Sequence, residues 1–367
     1  MTSIDKLYEI GTSTWLDDLS RDRITTGNLD EIKASKSIKG VTTNPAIFAK
    51  AMSGGNAYDI QLADLKAAGS EVDAAVYAMS VKDVQDACDL FADVFEATDG
   101  KDGRVSIEVD PRYAADEERT VAQAAELAQL VDRPNVMIKI PATDESLPAV
   151  TATLAAGISV NVTLIFSVER YEAVIDAYLA GLEKAAEAGK DLSTIHSVAS
   201  FFVSRVDTEI DARLDALGGD AVSLKGQAGV ANAQAAFGVY LTAFGSERFT
   251  ALADKGANVQ RALWASTGVK NPDYSDTLYV DNLVADPTVN TMPEKTLEAV
   301  ADHSEPKAAL SAETAAAGEA ALERVAEAGV DLADVFAVLE REGVEKFEKA
   351  WNELLETVSA SVEAARA

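Results

Sequence analysis

The chain has 367 residues, of which 61 are acidic and 32 are basic, so its formal net charge at pH 7 is −29. This excess of negative charge disfavours nucleic acids and anionic membranes as partners. Hydrophobic residues at 48% and charged residues at 25% indicate a globular protein and exclude an intrinsically disordered one. The single cysteine, Cys88, excludes an intramolecular disulfide and suits a reducing compartment. Because the first residues lack an apolar signal segment and no apolar run approaches about 18 residues, we expect a cytoplasmic protein.

Short runs rich in Val, Ile and Thr alternate with long amphipathic helical patterns along the chain. This alternation predicts βαβ units and a parallel sheet. Eight candidate strands have this character: 12–17, 38–43, 104–109, 135–140, 158–163, 195–200, 261–266 and 278–282. Eight such units favour a closed (β/α)8 TIM barrel over an open doubly wound sheet. Since no linker divides the chain, we predict a single α/β domain over residues 1–367.

Two regions exceed what a minimal barrel needs. Residues 49–103 predict a helical insertion between the second and third strands, and residues 309–366 predict C-terminal helices packed on the barrel. The last of these helices carries an apolar stripe at helical spacing, which we interpret as ordinary core. The stripe consists of Phe347, Trp351, Leu354 and Val358.

The candidate strand 135–140 places one lysine, Lys139, among apolar residues and is stopped by Pro141. A charged and unpaired amine in such surroundings costs several kcal/mol. The first interpretation is structural: the amine reaches the strand end or forms an ion pair. The second is catalytic, because burial lowers the pKa of a lysine toward the range in which its amine is a nucleophile.

Nearly every candidate strand carries a polar residue near its carboxyl end, although buried parallel strands are normally apolar. These residues are Asp17, Thr42 with Asn44, Glu108, Lys139, Asn161 with Thr163, Ser200, Ser266 and Asp281. In barrel enzymes, the catalytic groups come from the carboxyl ends of several strands. The pattern therefore predicts an active site at this end of the barrel.

The residue types available narrow the chemistry. Only two histidines are present, so a multi-histidine zinc site and a Ser-His-Asp triad are disfavoured, and we interpret His196 as a core residue. Neither glycine-rich nucleotide motif occurs. We predict no metal and no cofactor. A buried amine with two carboxylates, Asp17 and Glu108, is typical of a Schiff-base enzyme acting on a carbonyl compound.

Eight sequence segments, taken together and in their order along the chain, resemble the motifs of a known family. They are Thr12-Ser-Thr-Trp-Leu-Asp-Asp-Leu-Ser-Arg21, Gly40-Val-Thr-Thr-Asn-Pro-Ala-Ile-Phe48, Ser106-Ile-Glu-Val-Asp110, Ile138-Lys-Ile-Pro-Ala-Thr143, Asn161-Val-Thr-Leu-Ile-Phe-Ser167, Ser197-Val-Ala-Ser-Phe-Phe-Val-Ser-Arg-Val-Asp207, Trp264-Ala-Ser-Thr-Gly-Val-Lys270 and Thr288-Val-Asn-Thr-Met-Pro-Glu-Lys295. With these motifs, residues 10–300 resemble the transaldolases, in their longer bacterial form, and the end around residues 340–355 also resembles this subfamily.

The resemblance implies roles for four catalytic residues. Lys139 attacks the ketose carbonyl and carries a dihydroxyacetone unit as a Schiff base. Asp17 takes and returns the proton at the hydroxyl where the carbon–carbon bond breaks and forms. Glu108 and Thr163 position a water that moves protons during imine formation and hydrolysis.

The resemblance also implies a substrate-binding set. Asn44 and Asn161 hydrogen-bond the hydroxyls of the three-carbon unit, and Ser200 is a further polar neighbour. Arg205 and Ser266 hold the phosphate, and a guanidinium matches phosphate geometry in a bidentate way.

Two features depart from the family pattern. Shorter members place an arginine soon after the alanine-serine pair, whereas here Lys270 is only a candidate for that second cation, and lysine provides a point charge. No proline follows Ser200, so the course of the next loop stays open. Asp18, beside Asp17, is interpreted as structural or solvated.

The resemblance implies a transaldolase of the non-oxidative pentose phosphate pathway. Such an enzyme moves a dihydroxyacetone unit from sedoheptulose 7-phosphate to glyceraldehyde 3-phosphate, giving erythrose 4-phosphate and fructose 6-phosphate. Two alternatives remain: a fructose 6-phosphate aldolase-type lyase that releases free dihydroxyacetone, and an inactive barrel that only binds sugar phosphates. The expected partners are these small molecules, and the chain is expected to be a monomer or a homodimer.

Overall fold

The computed structural model describes residues 2–364 and contains a closed barrel of eight parallel strands, in which the last strand pairs back with the first. The strands are β1 Thr12–Leu16, β2 Gly40–Val41, β3 Arg104–Glu108, β4 Val136–Pro141, β5 Val160–Ile165, β6 Ser197–Phe202, β7 Gln260–Ala265 and β8 Thr288–Met292. The predicted (β/α)8 fold is confirmed. Of the predicted 1–367 domain, residue 1 and residues 365–367 lie outside the described residues.

The predicted eighth strand at 278–282 is wrong. That segment is the helix Leu278–Asn282, and the true β8 begins at Thr288 and pairs with β1 and β7. The side chain of Asp281 accepts hydrogen bonds from Thr277 Oγ1 at 2.7 Å and Ser304 Oγ at 2.5 Å. Asp281 therefore stabilises this helical turn and does not belong to the set of strand-end residues. A short apolar run cannot be assigned to a strand or a helix by periodicity alone.

Helices connect the strands and continue beyond β8. They are α1 Ser3–Ile10, α2 Arg21–Thr25, α3 Asn28–Lys36, α4 Pro45–Ser53, α5 Asp59–Ala67, α6 Val72–Leu90, α7 Ala92–Ala97, α8 Glu117–Val131, α9 Leu147–Ala155, α10 Val168–Glu187, α11 Ser204–Leu217, α12 Ala228–Phe244, α13 Glu247–Ala253, α14 Leu278–Asn282, α15 Glu294–His303, α16 Ala312–Glu327 and α17 Leu332–Ala364. The described residues also form three 3₁₀ helices, Pro111–Tyr113, Leu192–Thr194 and Gly219–Leu224. Among the residues described, no helix combines the length and apolar character needed to span a membrane.

Alternation along the strands separates an inner from an outer core. On β4, Met137 packs with Trp15 and Val289 inside the barrel, whereas Val136 and Ile138 pack with the surrounding helices. Lys139 has the same parity as Met137 and so lies on the inner face, where the carboxyl ends of the strands open into a cavity.

A buried ion pair closes the opposite, amino-terminal end of the barrel. The carboxylate of Asp102, which is fully buried, lies 3.1 Å from Nη2 of Arg261. Ser13 Oγ and Trp15 Nε1 donate further hydrogen bonds to this carboxylate at 2.7 and 3.0 Å. Burial opposes ionisation of Asp102, but Arg261 and these donors hold its pKa below the usual value. This buried polar layer fills the amino end of the barrel, opposite the end that holds Lys139.

The two regions beyond a minimal barrel meet each other. Helices α4 to α7 lie between β2 and β3, and α17 packs along α4 and contacts α6. Tyr77 and Trp351 connect the regions, with ring centroids 4.9 Å apart. Trp351, Leu354 and Val358 are buried in the main core. Residues 365 and 366 of the predicted extension 309–366 lie outside the described part of the chain.

Candidate active site

A cavity of about 270 Å³ lies at the carboxyl ends of the strands. Eight of the ten predicted site residues line it: Asp17, Asn44, Lys139, Thr163, Ser200, Arg205, Ser266 and Lys270. The other two, Glu108 and Asn161, lie beneath its floor, in contact with lining residues. The structure therefore gathers the predicted set at one place.

Lys139 and Glu108 occupy paired positions on adjacent strands, and both side chains are almost fully buried. The amine donates a hydrogen bond to the carbonyl of Thr43 at 3.0 Å and lies 3.4 Å from Oε2 of Glu108. Neither interaction blocks the cavity side of Lys139, which lines the pocket. The amine is thus both anchored and accessible to a ligand.

Glu108 is placed where a proton can be exchanged near neutral pH. Burial raises the pKa of its carboxyl to about 7, with Lys139 opposing and Asp17 adding to the increase. Apart from the ion-pair contact with Lys139, its carboxylate oxygens have no hydrogen-bond partner in the described protein, and neither does Oγ1 of Thr163. Buried polar groups without partners are rare and often mark catalytic positions.

An irregularity in β5 accompanies the position of Thr163. The register between β5 and β6 shifts between Val162 and Ile165, and Leu164 has a φ of 63°, in the left-handed region. A β-bulge changes the direction of a side chain and is common beside active sites. Thr163 has the inward parity of Asn161, and the irregularity turns Leu164 and Phe166, of the opposite parity, into the inner core as well.

Asp17 follows the last residue of β1 and is held from one side. Its Oδ1 accepts a hydrogen bond of 2.7 Å from Thr42, whose hydroxyl also lies 2.6 Å from that of Thr291. Burial raises the pKa of Asp17, while the positive charges of Lys139 and Arg205 oppose the increase. A carboxyl with a raised pKa in hydrogen-bond reach of a ligand is suited to general acid–base catalysis.

The two asparagines predicted to bind substrate hydroxyls differ in how many of their polar groups are already hydrogen-bonded within the protein. Asn44 caps α4 through its Oδ1, which accepts from the Ile47 amide at 3.1 Å, so its NH₂ group remains for the cavity. Asn161 is fully buried: its amide donates to Ser106 at 3.1 Å and accepts from Ser200 at 2.7 Å. Asn161 therefore orients Ser200, and contact with a ligand would require exchange of one of these bonds.

Positive charge lies on the side of the cavity formed by β6, β7 and the segments that follow them. Arg205, near the start of α11, stacks over Phe202 with its Cζ 5.0 Å from the ring centroid. Burial lowers the pKa of Arg205, and Asp17 opposes that change. Ser266 has a φ of 54° and bonds to Ser204 through their hydroxyls, at 2.8 Å. Lys270 is exposed at the rim.

Three further residues singled out in the sequence lie outside the cavity lining. Asp18 pairs with Arg23 at 2.7 Å and is structural. His196 is buried at the amino end of β6, and burial lowers its pKa to about 3. Cys88 is buried in the core. Between residues 2 and 360, no three His, Cys, Asp or Glu side chains are grouped to hold a metal ion.

Comparison with known proteins shows to which family the chain belongs. The family described as Transaldolase/Fructose-6-phosphate aldolase matches residues 14–358. A protein named Transaldolase from Mycolicibacterium smegmatis is 62% identical over 98% of this chain and 97% of its own length. Proteins of the same name from Mycolicibacterium paratuberculosis and Mycobacterium tuberculosis are 61% and 59% identical, over 95% and 98% of this chain and 94% and 97% of their own lengths. The chain belongs to the transaldolase/fructose-6-phosphate aldolase family.

In this member of the transaldolase/fructose-6-phosphate aldolase family, two further residues reach the cavity from α17. Phe347 is buried, and its ring centroid lies 5.4 Å from Nζ of Lys139. Lys346, the preceding residue, lines the cavity near its opening. The helical periodicity predicted that Phe347 is buried. Its spacing in the sequence did not indicate that it lies against the amine of Lys139, 208 positions earlier in the chain.

Proposed function

We propose that the protein is a transaldolase that transfers a dihydroxyacetone unit between sugar phosphates through a Schiff base on Lys139. The observation that carries the proposal is the burial of this amine 3.4 Å from Glu108, in a cavity that also contains Asp17 and Arg205. The site thus combines an amine that can attack a ketone, two carboxyls that can carry protons and a cation that can bind an anion. Relatives named Transaldolase, at 59–62% identity over nearly the whole chain, support the same reaction class.

The reaction begins at the donor carbonyl. The neutral amine of Lys139 attacks the C2 carbonyl of sedoheptulose 7-phosphate, and the carbinolamine loses water to give the protonated imine. Glu108, with a pKa of about 7, exchanges the protons for these steps through a water held with Thr163. The imine then withdraws electrons from the bond that is to break.

Cleavage and transfer depend on Asp17. Its carboxylate accepts the proton of the C4 hydroxyl, the C3–C4 bond breaks, and the bonding electrons enter the imine to form an enamine on Lys139. Erythrose 4-phosphate leaves. The enamine attacks the aldehyde of glyceraldehyde 3-phosphate, Asp17 returns the proton to the new hydroxyl, and hydrolysis of the imine releases fructose 6-phosphate.

The remaining cavity residues orient the sugars. The NH₂ group of Asn44 and the hydroxyl of Ser200 are placed to bind hydroxyls of the three-carbon unit. Arg205 and Ser266 hold the phosphate, as an arginine fork and a hydroxyl do in phosphate sites. The place of action that we propose is the cytoplasm, which the single buried cysteine supports.

A second candidate is an aldolase that releases free dihydroxyacetone, because the matching family covers both activities. Both reactions share the enamine, and they differ in whether it is protonated or attacks an aldehyde. Burial of Lys139 under the ring of Phe347 limits access of water and favours transfer. Dihydroxyacetone released without an acceptor aldehyde, measured beside transfer to glyceraldehyde 3-phosphate, distinguishes the two.

The proposal is tested by borohydride reduction in the presence of fructose 6-phosphate, with intact mass and peptide mapping. We expect a three-carbon adduct on the peptide containing residues 135–143. Lys139→Met should lose the adduct, whereas the matched change Lys349→Met, at an exposed position on α17, should retain it.

Each other outcome has a defined meaning. An adduct on a different lysine would retain the reaction class and overturn the assignment of Lys139. Binding of fructose 6-phosphate without any adduct in the unmodified protein would overturn the enzymatic proposal and favour an inactive sugar-phosphate-binding barrel.

A further inference from the structure

The loop that follows β7 brings an exposed lysine, and no arginine, to the phosphate side of the cavity. After Ser266 the cavity wall continues with Gly268, which carries no side chain, and the next basic residue, Lys270, is exposed. Arg205 is the one partly buried cation on this side among the described residues. In a chain of net charge −29, a dianionic phosphate needs local positive charge to overcome the overall field.

We propose that Lys346 of the C-terminal helix is a phosphate-binding and specificity-determining residue of the same site. The inference rests on the proposed function and extends it, because it assigns part of substrate recognition to the helix that crosses the barrel opening. Lys346 lines the cavity together with Arg205 and Lys270, and each of the three comes from a different segment of the chain.

The neighbour of Lys346 fixes its position. Phe347 is buried, with its ring 5.4 Å from Nζ of Lys139, so the register of α17 on the barrel is set at this turn. Packing of α17 along α4 holds the helix on the other side. The backbone of Lys346 is therefore held at the edge of the cavity, while its side chain, 58% exposed, can change rotamer.

One carboxylate already interacts with both cations. Nζ of Lys346 is 2.7 Å from Oε2 of Glu342, one turn earlier on α17, and Glu342 also interacts electrostatically with Arg205. Both cations can therefore serve one anion. A substrate phosphate would replace Glu342 as the hydrogen-bond partner of Lys346, because a dianion accepts the stronger charge-assisted hydrogen bond.

The other basic residues of α17 provide an internal comparison. Arg341 and Lys349 also have carboxylate partners one turn away, Glu345 at 3.9 Å and Glu353 at 3.8 Å. Neither lines the cavity. Such exposed pairs contribute little to stability, so Lys349 is a matched control in charge, helix and pairing.

The test compares acceptors with and without phosphate. For Lys346→Gln, we expect kcat/KM with glyceraldehyde 3-phosphate to fall about 10- to 100-fold, the loss of one hydrogen bond to a charged group. With unphosphorylated glyceraldehyde the change should stay within about twofold, and Lys346→Arg should recover most of the loss. Lys349→Gln should change neither value. Equal loss with both acceptors, or no loss with either, would overturn the role of Lys346.

A binding measurement separates this inference from the proposed function. Lys139→Met cannot form the imine, so calorimetry on this variant reports binding of fructose 6-phosphate without chemistry. Adding Lys346→Gln should weaken binding of fructose 6-phosphate about 10-fold or more. Unchanged affinity in the double variant overturns the inference, while absence of a borohydride adduct in the unmodified protein overturns the proposed function alone.

Discussion

Oε2 of Glu108 lies 3.4 Å from Nζ of Lys139, and the two residues are direct partners in the register of β3 and β4. The Glu108 carboxyl is nearly fully buried, so burial raises its pKa, while the positive charge of the Lys139 amine opposes the increase. For Glu108 burial prevails, and its pKa rises to about 7. The carboxyl beside the amine is thus ready to gain or lose a proton at physiological pH.

This relationship predicts how the hydrolysis step depends on pH. Below pH 7, Glu108 is mostly protonated and cannot accept the proton of the attacking water, so single-turnover imine hydrolysis should rise with pH through about 7. Glu108→Gln should reduce the rate about 10²- to 10⁴-fold and remove this rise. Quenched-flow measurement from pH 5.5 to 8.5 provides the comparison. A variant that kept the same rise would assign it to another group.

Asp17 should be required for bond cleavage and not for imine formation. In Asp17→Asn, Lys139 keeps its contacts with Thr43 and Glu108, while the C4 hydroxyl has no acceptor for its proton. Borohydride should then trap the intact six-carbon chain of fructose 6-phosphate on Lys139, whereas the unmodified protein should yield the three-carbon adduct. Turnover should fall about 10²- to 10⁴-fold. A three-carbon adduct on the variant would remove Asp17 from the cleavage step.

The barrel was predictable because its strands repeat one local pattern of Val-, Ile- and Thr-rich runs. Residues 278–282 have a similar composition but form a helix, so composition alone predicted the wrong element there. Leu278, Tyr279 and Val280 favour a strand by composition, but they form a helix in which Asp281 accepts hydrogen bonds from Thr277 and from Ser304, which is 23 residues away in sequence. Long-range contacts of this kind leave no periodic signal. β8 begins with Thr288-Val-Asn-Thr, which is more polar than the Val- and Ile-rich runs typical of buried strands.

The site was predictable where function requires a polar residue in an apolar strand, as with Lys139 and Glu108. It was not predictable where a distant helix contributes. Phe347 satisfies the apolar stripe of α17 equally well as ordinary core, and Lys346 resembles any exposed helical lysine. Only the path of α17 over the cavity distinguishes them, and that path is set by packing on α4.

The ion pair that seals the amino end of the barrel should contribute strongly to stability. Asp102→Asn leaves the Arg261 guanidinium buried without a carboxylate, which should lower the free energy of unfolding at pH 7 by about 3–5 kcal/mol. The pKa of Asp102 is lowered in the folded protein, so its contribution is present above the unfolded pKa, near 4, and is lost as pH falls through the folded value.

Urea unfolding at pH 7 and in an acid series checks this difference. The surface pair of Asp89 and Arg133, at 2.6 Å, provides the control, because Asp89→Asn should change stability by less than about 1 kcal/mol. Equal effects of the two substitutions would indicate that burial of the Asp102 pair adds nothing.

Phe347 should control how well the imine is protected. Phe347→Leu keeps an apolar side chain in α17 but removes the aromatic face near Nζ of Lys139, an interaction of about 0.5–2 kcal/mol with a cation. We expect kcat/KM for transfer to fall about 3- to 30-fold, equally for phosphorylated and unphosphorylated acceptors, and free dihydroxyacetone formed without acceptor to increase. Trp351→Phe, one turn later on α17 and outside the cavity, should leave the ratio of free dihydroxyacetone to transferred product unchanged. If both substitutions raised that ratio alike, the cause would be general loosening of α17 and not the ring above the lysine.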